Sequence, residues 1–357
     1  MSAQLRVVLD QLAQVVAADT AWAALDLTHG LIDTAPAGCT VDAIVPAGSQ
    51  PEIRGIGEVR TLPLQRRELA ASWQLGIAPG VGGGMIHSPS LMAPLVKHDR
   101  VHDPDQTVVT LWDLNAWEAP QGMAKPAVSW HRGMLRRAAK HADAIVVPSH
   151  AFAERLEDFA RFGDRVRVIA GAPPSNLVVP GDAAARRAEL DLPETYIVIA
   201  GAGESFATGF RAAIAAERDA VVIDAPDGAE PRLVEIASAA GLPARRVHVR
   251  GALDPEERAS VVAGAEAFVG TSTVTAWPWR AVDAMALGVP VVVVDSGVHR
   301  DVVADGGMVV GDDDIADAVV DAVGAGSARL RVLAGDRARA FSWASSAERV
   351  WALHADL

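Results

Sequence analysis

The chain has a single cysteine, Cys39, so no disulfide framework can staple it and a reducing cytoplasm is the expected setting. It has no run suited to crossing a bilayer as a helix. Within its longest uncharged stretch, residues 76–96 are broken by Pro79, Gly82, Gly83, Gly84, Pro89 and Pro94. No secretory leader is expected, because Asp10 and Asp19 interrupt the first apolar stretch and no basic segment precedes it. No His/Cys/Asp/Glu spacing has the pattern of a structural zinc site. Positive charge is also scarce. The net charge is −13, with 16 Lys+Arg against 18 Asp+Glu through Ala170 and 16 against 27 from Gly171 onward. That balance argues against nucleic acid as a partner. It also opposes a nucleotide diphosphate in the second half, unless a local basic pocket overrides the field.

What is present is a balanced globular composition, 50% hydrophobic and 22% charged. A chain of 357 residues exceeds one ordinary core and suits two domains of roughly 150–190 residues. In the first half, short apolar runs at 5–9, 41–45, 84–87, 107–111, 144–148 and 166–170 read as strands. A helix rich in Ala, Arg and Lys is predicted over 127–142. The segments Gly171-Ala-Pro-Pro-Ser-Asn and Val179-Pro-Gly-Asp then break regular structure and suit a linker. The same grammar repeats with strands at 196–200, 220–224, 247–250, 267–269 and 291–295, and helices such as 233–240 and 255–263 between them. Two βα arrays predict an α/β protein of two Rossmann-like domains facing a cleft, over 1–172 and 173–340. A last helix, within 341–357, is predicted around 343–354.

Several segments, in order, carry a family likeness. They are Ile86-His-Ser-Pro-Ser-Leu with Ala93-Pro-Leu, Val108-Val-Thr-Leu-Trp-Asp-Leu, and Ala142-Asp-Ala-Ile-Val-Val-Pro-Ser. Further on come Leu190-Asp-Leu-Pro-Glu-Thr-Tyr-Ile-Val-Ile-Ala-Gly, Val247-His-Val-Arg-Gly, Asp283-Ala-Met-Ala-Leu-Gly-Val-Pro-Val-Val and Phe341-Ser-Trp. Together they resemble the retaining glycosyltransferases of GT-B fold, specifically the large bacterial family 4. The resemblance implies that a nucleotide sugar binds the second domain, an acceptor binds the first, and the last helix crosses back to the first domain. No metal and no cofactor beyond the donor are implied. Departure of the nucleotide diphosphate would be the hard step, eased by fixed positive charge and backbone N–H groups.

At the positions that the resemblance assigns to this chemistry, the residues depart from the family pattern. The donor loop, Gly201-Ala-Gly-Glu-Ser-Phe-Ala-Thr-Gly-Phe-Arg, has Phe206 and Ala207 where two basic residues align, and Arg211 is the nearest cation. The two-carboxylate donor motif aligns with Thr275-Ala-Trp-Pro-Trp-Arg-Ala-Val-Asp. Thr275 replaces the first carboxylate, Pro278 removes one N–H, and Trp277 and Trp279 add bulk. Pro278 also suits the first position of a helix. Asp283 keeps a carboxylate for ribose and Arg280 offers a cation for diphosphate. Trp112, followed by Asp113, stands at the family's acceptor-side His; indole donates one hydrogen bond and carries no titrating proton. The stretch from Val16 reads as uninterrupted helix, without glycine until Gly30. The glycine run Gly80-Val-Gly-Gly-Gly lacks the Lys-Ser/Thr of a phosphate loop and reads as a flexible loop, a candidate lid.

Other residues retain chemistry. Trp130 and His131 resemble a Trp-His pair near the acceptor cleft, and His87 ends a strand in the same half. His131 and Asp113 are the candidate acid/base groups. Lys125, Arg132, Arg136, Arg137 and Lys140 form a basic run without an acid; Arg132, Arg136 and Lys140 share a helical face suited to an anionic membrane or a solvated surface. Two readings follow. One is hexosyl transfer from a nucleotide sugar to a cell-envelope glycan or lipid-linked acceptor. The other is a catalytically silent homologue that partners or scaffolds an active glycosyltransferase, or pairs with itself.

Overall fold

A computed structural model describes residues 3–12, 15–49, 51–99 and 104–357. It divides into two compact units. The first comprises Met1–Ala172, Thr275–Trp277 and Ser342–Leu357; the second comprises Pro173–Val274 and Pro278–Phe341.

Seven strands make the sheet of the first unit: β1 (Ala3–Val8), β2 (Cys39–Val45), β3 (Val59–Thr61), β4 (Met85–Ser88), β5 (Gln106–Thr110), β6 (Ala144–Val147) and β7 (Val166–Val168). Their order is β3-β2-β1-β4-β5-β6-β7, and every pairing is parallel. The second unit has β8 (Tyr196–Ala200), β9 (Asp219–Val222), β10 (Val247–Val249), β11 (Ala267–Gly270), β12 (Val291–Val294) and β13 (Met308–Val310). These lie in the order β10-β9-β8-β11-β12-β13, again all parallel. Both units are therefore Rossmann-like. Parallel sheets are covered on both faces, which is why the central strands are unbroken Val/Ile/Ala runs such as Val291–Val294, fully buried.

The order reverses between β1 and β4 in one unit and between β8 and β11 in the other. Ligands of open parallel sheets bind outside the carboxyl ends at such switch points. The first reversal puts Leu9–Asp10 beside Ser88–Ser90, and the second puts Gly201 beside Thr271.

Among the described residues, two strands escape the sequence reading, β3 and β13, each three residues long, at sheet edges and only partly buried. Three further expectations are corrected. The helix predicted from Val16 begins at Ala18, because the Gln11 side chain accepts from the N–H groups of Val16 and Ala17. Pro278 stands one residue outside the helix Trp279–Ala286, at ψ 68, rather than at its first position. The glycine run leads into the amino end of β4, on the edge away from the carboxyl ends, and is tied down there. Val81 O accepts from Arg6 and Arg60, and Gly84 N donates to Asp105. It is not a lid over a carboxyl-edge site.

The helix Trp343–Asp356 belongs to the first unit and is capped by Ser342, whose hydroxyl accepts from Ser345 N. It lies on the helix Ala18–Asp33, with Trp351 Nε1 donating to Leu31 O at 3.0 Å. Gly30 makes that approach possible, since a Cβ there would stand 2.8 Å from Trp343 O.

Candidate active site

In the first unit, Thr275–Trp277 runs antiparallel to Trp112–Leu114. Leu114 N donates to Thr275 O and Trp277 N donates to Trp112 O, both at 2.8 Å, around the Asp113–Ala276 bridge. Thr275, expected at the sugar, is held by Glu118 instead: its N–H and its hydroxyl donate to the two carboxylate oxygens at 2.7 and 3.2 Å. Arg155 Nε donates to the same carboxylate at 2.6 Å. Glu118 was not singled out by sequence, and its only signal is an acid three residues into a short helix, Asn115–Glu118.

Indoles fill the space beside this segment. Trp112 donates its Nε1–H to Pro89 O at 2.8 Å and meets Trp343 edge-to-face at 6.3 Å between centroids. A Cβ on Gly171 would come within 2.9 Å of Trp277 Nε1 and 3.0 Å of the Trp112 ring, so only glycine lets both rings pack there. Trp112 and Trp277 are both buried. Trp112 therefore fills space, with its one donor engaged by a carbonyl.

Asp113 and His131 are brought together. Burial pushes the Asp113 carboxyl above its ordinary value, opposed by the Asn115 N–H and by the charge of His131. His131 Nδ1 is 2.8 Å from Ala127 O; a carbonyl only accepts, so Nδ1 carries a proton and donates it there, which leaves Nε2 as the ring nitrogen not engaged by that carbonyl. Trp130 meets the His131 ring edge-on at 4.9 Å and donates to Ala70 O at 3.1 Å, which fixes its place in the packing. A partly buried pair of a carboxyl raised above its ordinary value and an imidazole suits general acid/base work.

His87, expected on the acceptor side, is fully buried. Its ring meets His354 of the last helix at 5.7 Å, and Nε2 lies 3.3 Å from Thr110 Oγ1. It has no exposed surface to offer a ligand. Sequence reasoning missed Asp10, which sits at the first switch point. Its carboxyl is pushed up by burial, offset by the Arg66 ion pair at 2.8 Å and a hydrogen bond to Ser90. An acid directly after the first strand was the available signal.

In the second unit, the loop after β8 is closed by hydroxyls. Ser205 Oγ accepts from Ala202 N at 2.9 Å and lies 3.2 Å from Thr271 Oγ1, and a Cβ on Gly201 would collide with both side chains. Phe206 opens the helix Phe206–Ala215 and Ala207 follows, so no cation stands at its start. Arg211 donates to Thr208 Oγ1 at 2.9 Å and lies 3.5 Å from Asp312, away from the role expected for it.

Arg280 and Asp283 are engaged with each other and with a second pair. Arg280 donates to Asp224 at 2.6 Å and to Asp283 at 2.8 Å. Arg258 lies 3.3 Å from Asp224 and 3.8 Å from Asp283. Two guanidiniums and two carboxylates balance, and Asp283 has no exposed surface to offer a ribose. Asp224 takes part from a left-handed backbone, φ 56°. No group of three or more potential metal ligands occurs among the described residues.

Residues 193–325 match the family model of glycosyl transferases group 1. The whole chain matches GT-B glycosyltransferase structures in fold. Sucrose-phosphate synthase from Thermosynechococcus elongatus is similar at 20% identity and a TM-score of 0.64, over 99% of this chain and 98% of that one. Anabaena HepE, in a complex with UDP and glucose, gives 16% identity and a TM-score of 0.65 over 99% and 100%. AviGT4, a glycosyltransferase involved in avilamycin A biosynthesis, gives 17% identity and a TM-score of 0.60 over 99% and 98%. No curated protein matches the chain in sequence.

Proposed function

We propose that this protein is a retaining glycosyltransferase of family 4 that moves a hexosyl group from a nucleotide sugar to a cell-envelope glycan or lipid-linked acceptor. The group 1 match over residues 193–325 carries the reading, supported by the Asp113–His131 pair on the other unit. In this reading His131 Nε2 takes the acceptor's proton and Asp113 holds the imidazolium that results. Such proton transfer contributes on the order of a hundred- to ten-thousand-fold. Donor binding would require Arg280 to trade Asp224 for diphosphate, and Asp283 to turn from Arg280 to ribose. No metal or cofactor other than the donor is required. The protein works in the cytoplasm, at the membrane surface through Lys125, Arg132, Arg136, Arg137 and Lys140.

A second reading is favoured by the same engagement of side chains. With Thr275 held by Glu118, and Arg280 and Asp283 held in a closed quartet, the chain would be a silent homologue that scaffolds an active glycosyltransferase or pairs with itself. Calorimetric titration with UDP, GDP, TDP and their sugars separates the two. Micromolar binding, together with loss of sugar transfer in His131→Ala, supports the enzyme. An absence of heat up to millimolar nucleotide would sink it and leave the silent reading.

A further inference from the structure

The amino-terminal edge of the first sheet carries a cavity of about 560 Å³, on the side away from the switch point. Arg6 on β1 and Arg60 on β3 meet there. Both donate to one carbonyl, Val81 O, at 2.6 and 2.8 Å, so two guanidiniums stand side by side. Arg6 is only 9% exposed, and its Nη2 has no hydrogen-bond partner. Among the described residues, no carboxylate lies within 4 Å of either guanidinium. Burial and then Arg60 lower the Arg6 pKa, opposed at longer range by Asp105, Asp42 and Glu58. Like charges this close, one of them desolvated and underbonded, are stabilised by a bound anion.

The cavity itself supplies the room for one, and glycine backbone packs directly against the two guanidiniums. A Cβ on Gly82 would stand 2.7 Å from Arg60 Nη1 and 3.2 Å from Arg6 Nη1, and one on Gly84 would stand 3.6 Å from Arg6 Nη2. Gly82 and Gly84 also adopt φ of 76° and 93°, which favours glycine. The cavity is therefore lined by glycine backbone next to the cations, with the Asp105 carboxylate against Gly83 and Gly84. The rest of its wall offers Gln4, Asp42, Glu58 and Gln106. Carboxylates and amides bind hydroxyl groups, and two adjacent arginines bind a dianionic phosphate through fork-shaped donors. We propose that this cavity is a second ligand site, for a phosphate monoester of a polyol, with phosphate on Arg6 and Arg60 and hydroxyls on the acidic and amide wall. The site is independent of the transfer reaction proposed above, since its residues stand at the opposite ends of the strands.

The test uses the full chain and three probes: glucose 6-phosphate, inorganic phosphate and glucose. Calorimetry should show the monoester bound at least tenfold tighter than inorganic phosphate, with glucose alone silent. Arg60→Gln should weaken the monoester at least tenfold. Amide NMR shifts of Gly82, Gly83 and Gly84 on titration of the unaltered protein locate the site without relying on a variant's fold. Equal affinity for inorganic phosphate would overturn the proposal. So would monoester binding that leaves these amides unmoved, or no binding at millimolar concentration.

Discussion

Asp283 is where residue identity and residue role separate most clearly. As a carboxylate at a motif position it resembles a ribose ligand, yet it is buried beside Arg280 and Arg258. A buried ion pair adds little over an apolar replacement, whereas removing one partner strands the other. Asp283→Ala is therefore expected to lower unfolding free energy by about 3–5 kcal/mol, measured by urea denaturation. A change under about 1 kcal/mol would mean the quartet is not closed in solution. Loss of nucleotide binding in that variant would thus not by itself assign a ribose contact. The sequence could not show this, because Asp224 lies 56 residues from Arg280 and no local pattern joins them. The nearness of Asp113 to His131 likewise depends on the sheet that sets them side by side.

Among elements, the last helix has the most specific seat. His354 places its ring against His87 of β4, and its Nδ1 lies 3.0 Å from Gln106 Oε1 of β5. Burial lowers the pKa of His354 to about 4 and that of His87 well below the ordinary value, the latter also through repulsion from His354. No carboxylate contributes to either shift. Both rings are therefore neutral in the folded protein at pH values where the unfolded chain binds protons. The stability they allow is intact above about pH 6.5 and falls as pH drops, by about 3 kcal/mol for His354 alone by pH 4. His354→Gln should flatten the fall in melting temperature between pH 6.5 and 4.5, followed by circular dichroism. An unchanged slope would place the acid sensitivity elsewhere. That the helix exists was legible from residues around 343–354 and from the Phe341-Ser-Trp start. That its imidazole faces another was not, since the partner lies on a strand 267 residues earlier.

For the whole molecule, the uneven charge makes a further expectation. Lys125, Arg132, Arg136 and Lys140 are exposed on the helix Lys125–His141, and no acid lies within it. Arg137 is the exception: it donates to Leu95 O at 2.6 Å and is half-buried. Exposed Leu75 and Ile77 flank Gly76, where a Cβ would collide with the Arg137 guanidinium. Apolar side chains beside cations suit an anionic interface. Vesicles containing phosphatidylglycerol should co-sediment the protein at low salt and release it at 0.5 M salt, roughly as the Debye length falls below 5 Å. Equal recovery with neutral vesicles would discard the electrostatic contact. At this scale the fold was legible because parallel strands buried on both faces must be continuous apolar runs, and such runs recur through both halves. The edge strands β3 and β13 were not, although β7 and β10, equally short and at the opposite edges, were. The sequence by itself therefore determined the two Rossmann-like units and the residue types at their carboxyl edges, since these follow from local pattern and spacing. Only the tertiary structure decided which of those side chains are free to meet a ligand. Thr275, Trp112, Arg280 and Asp283 already have partners, supplied by segments distant in the chain. Pairing energies depend on distance and burial, which spacing along the chain does not encode.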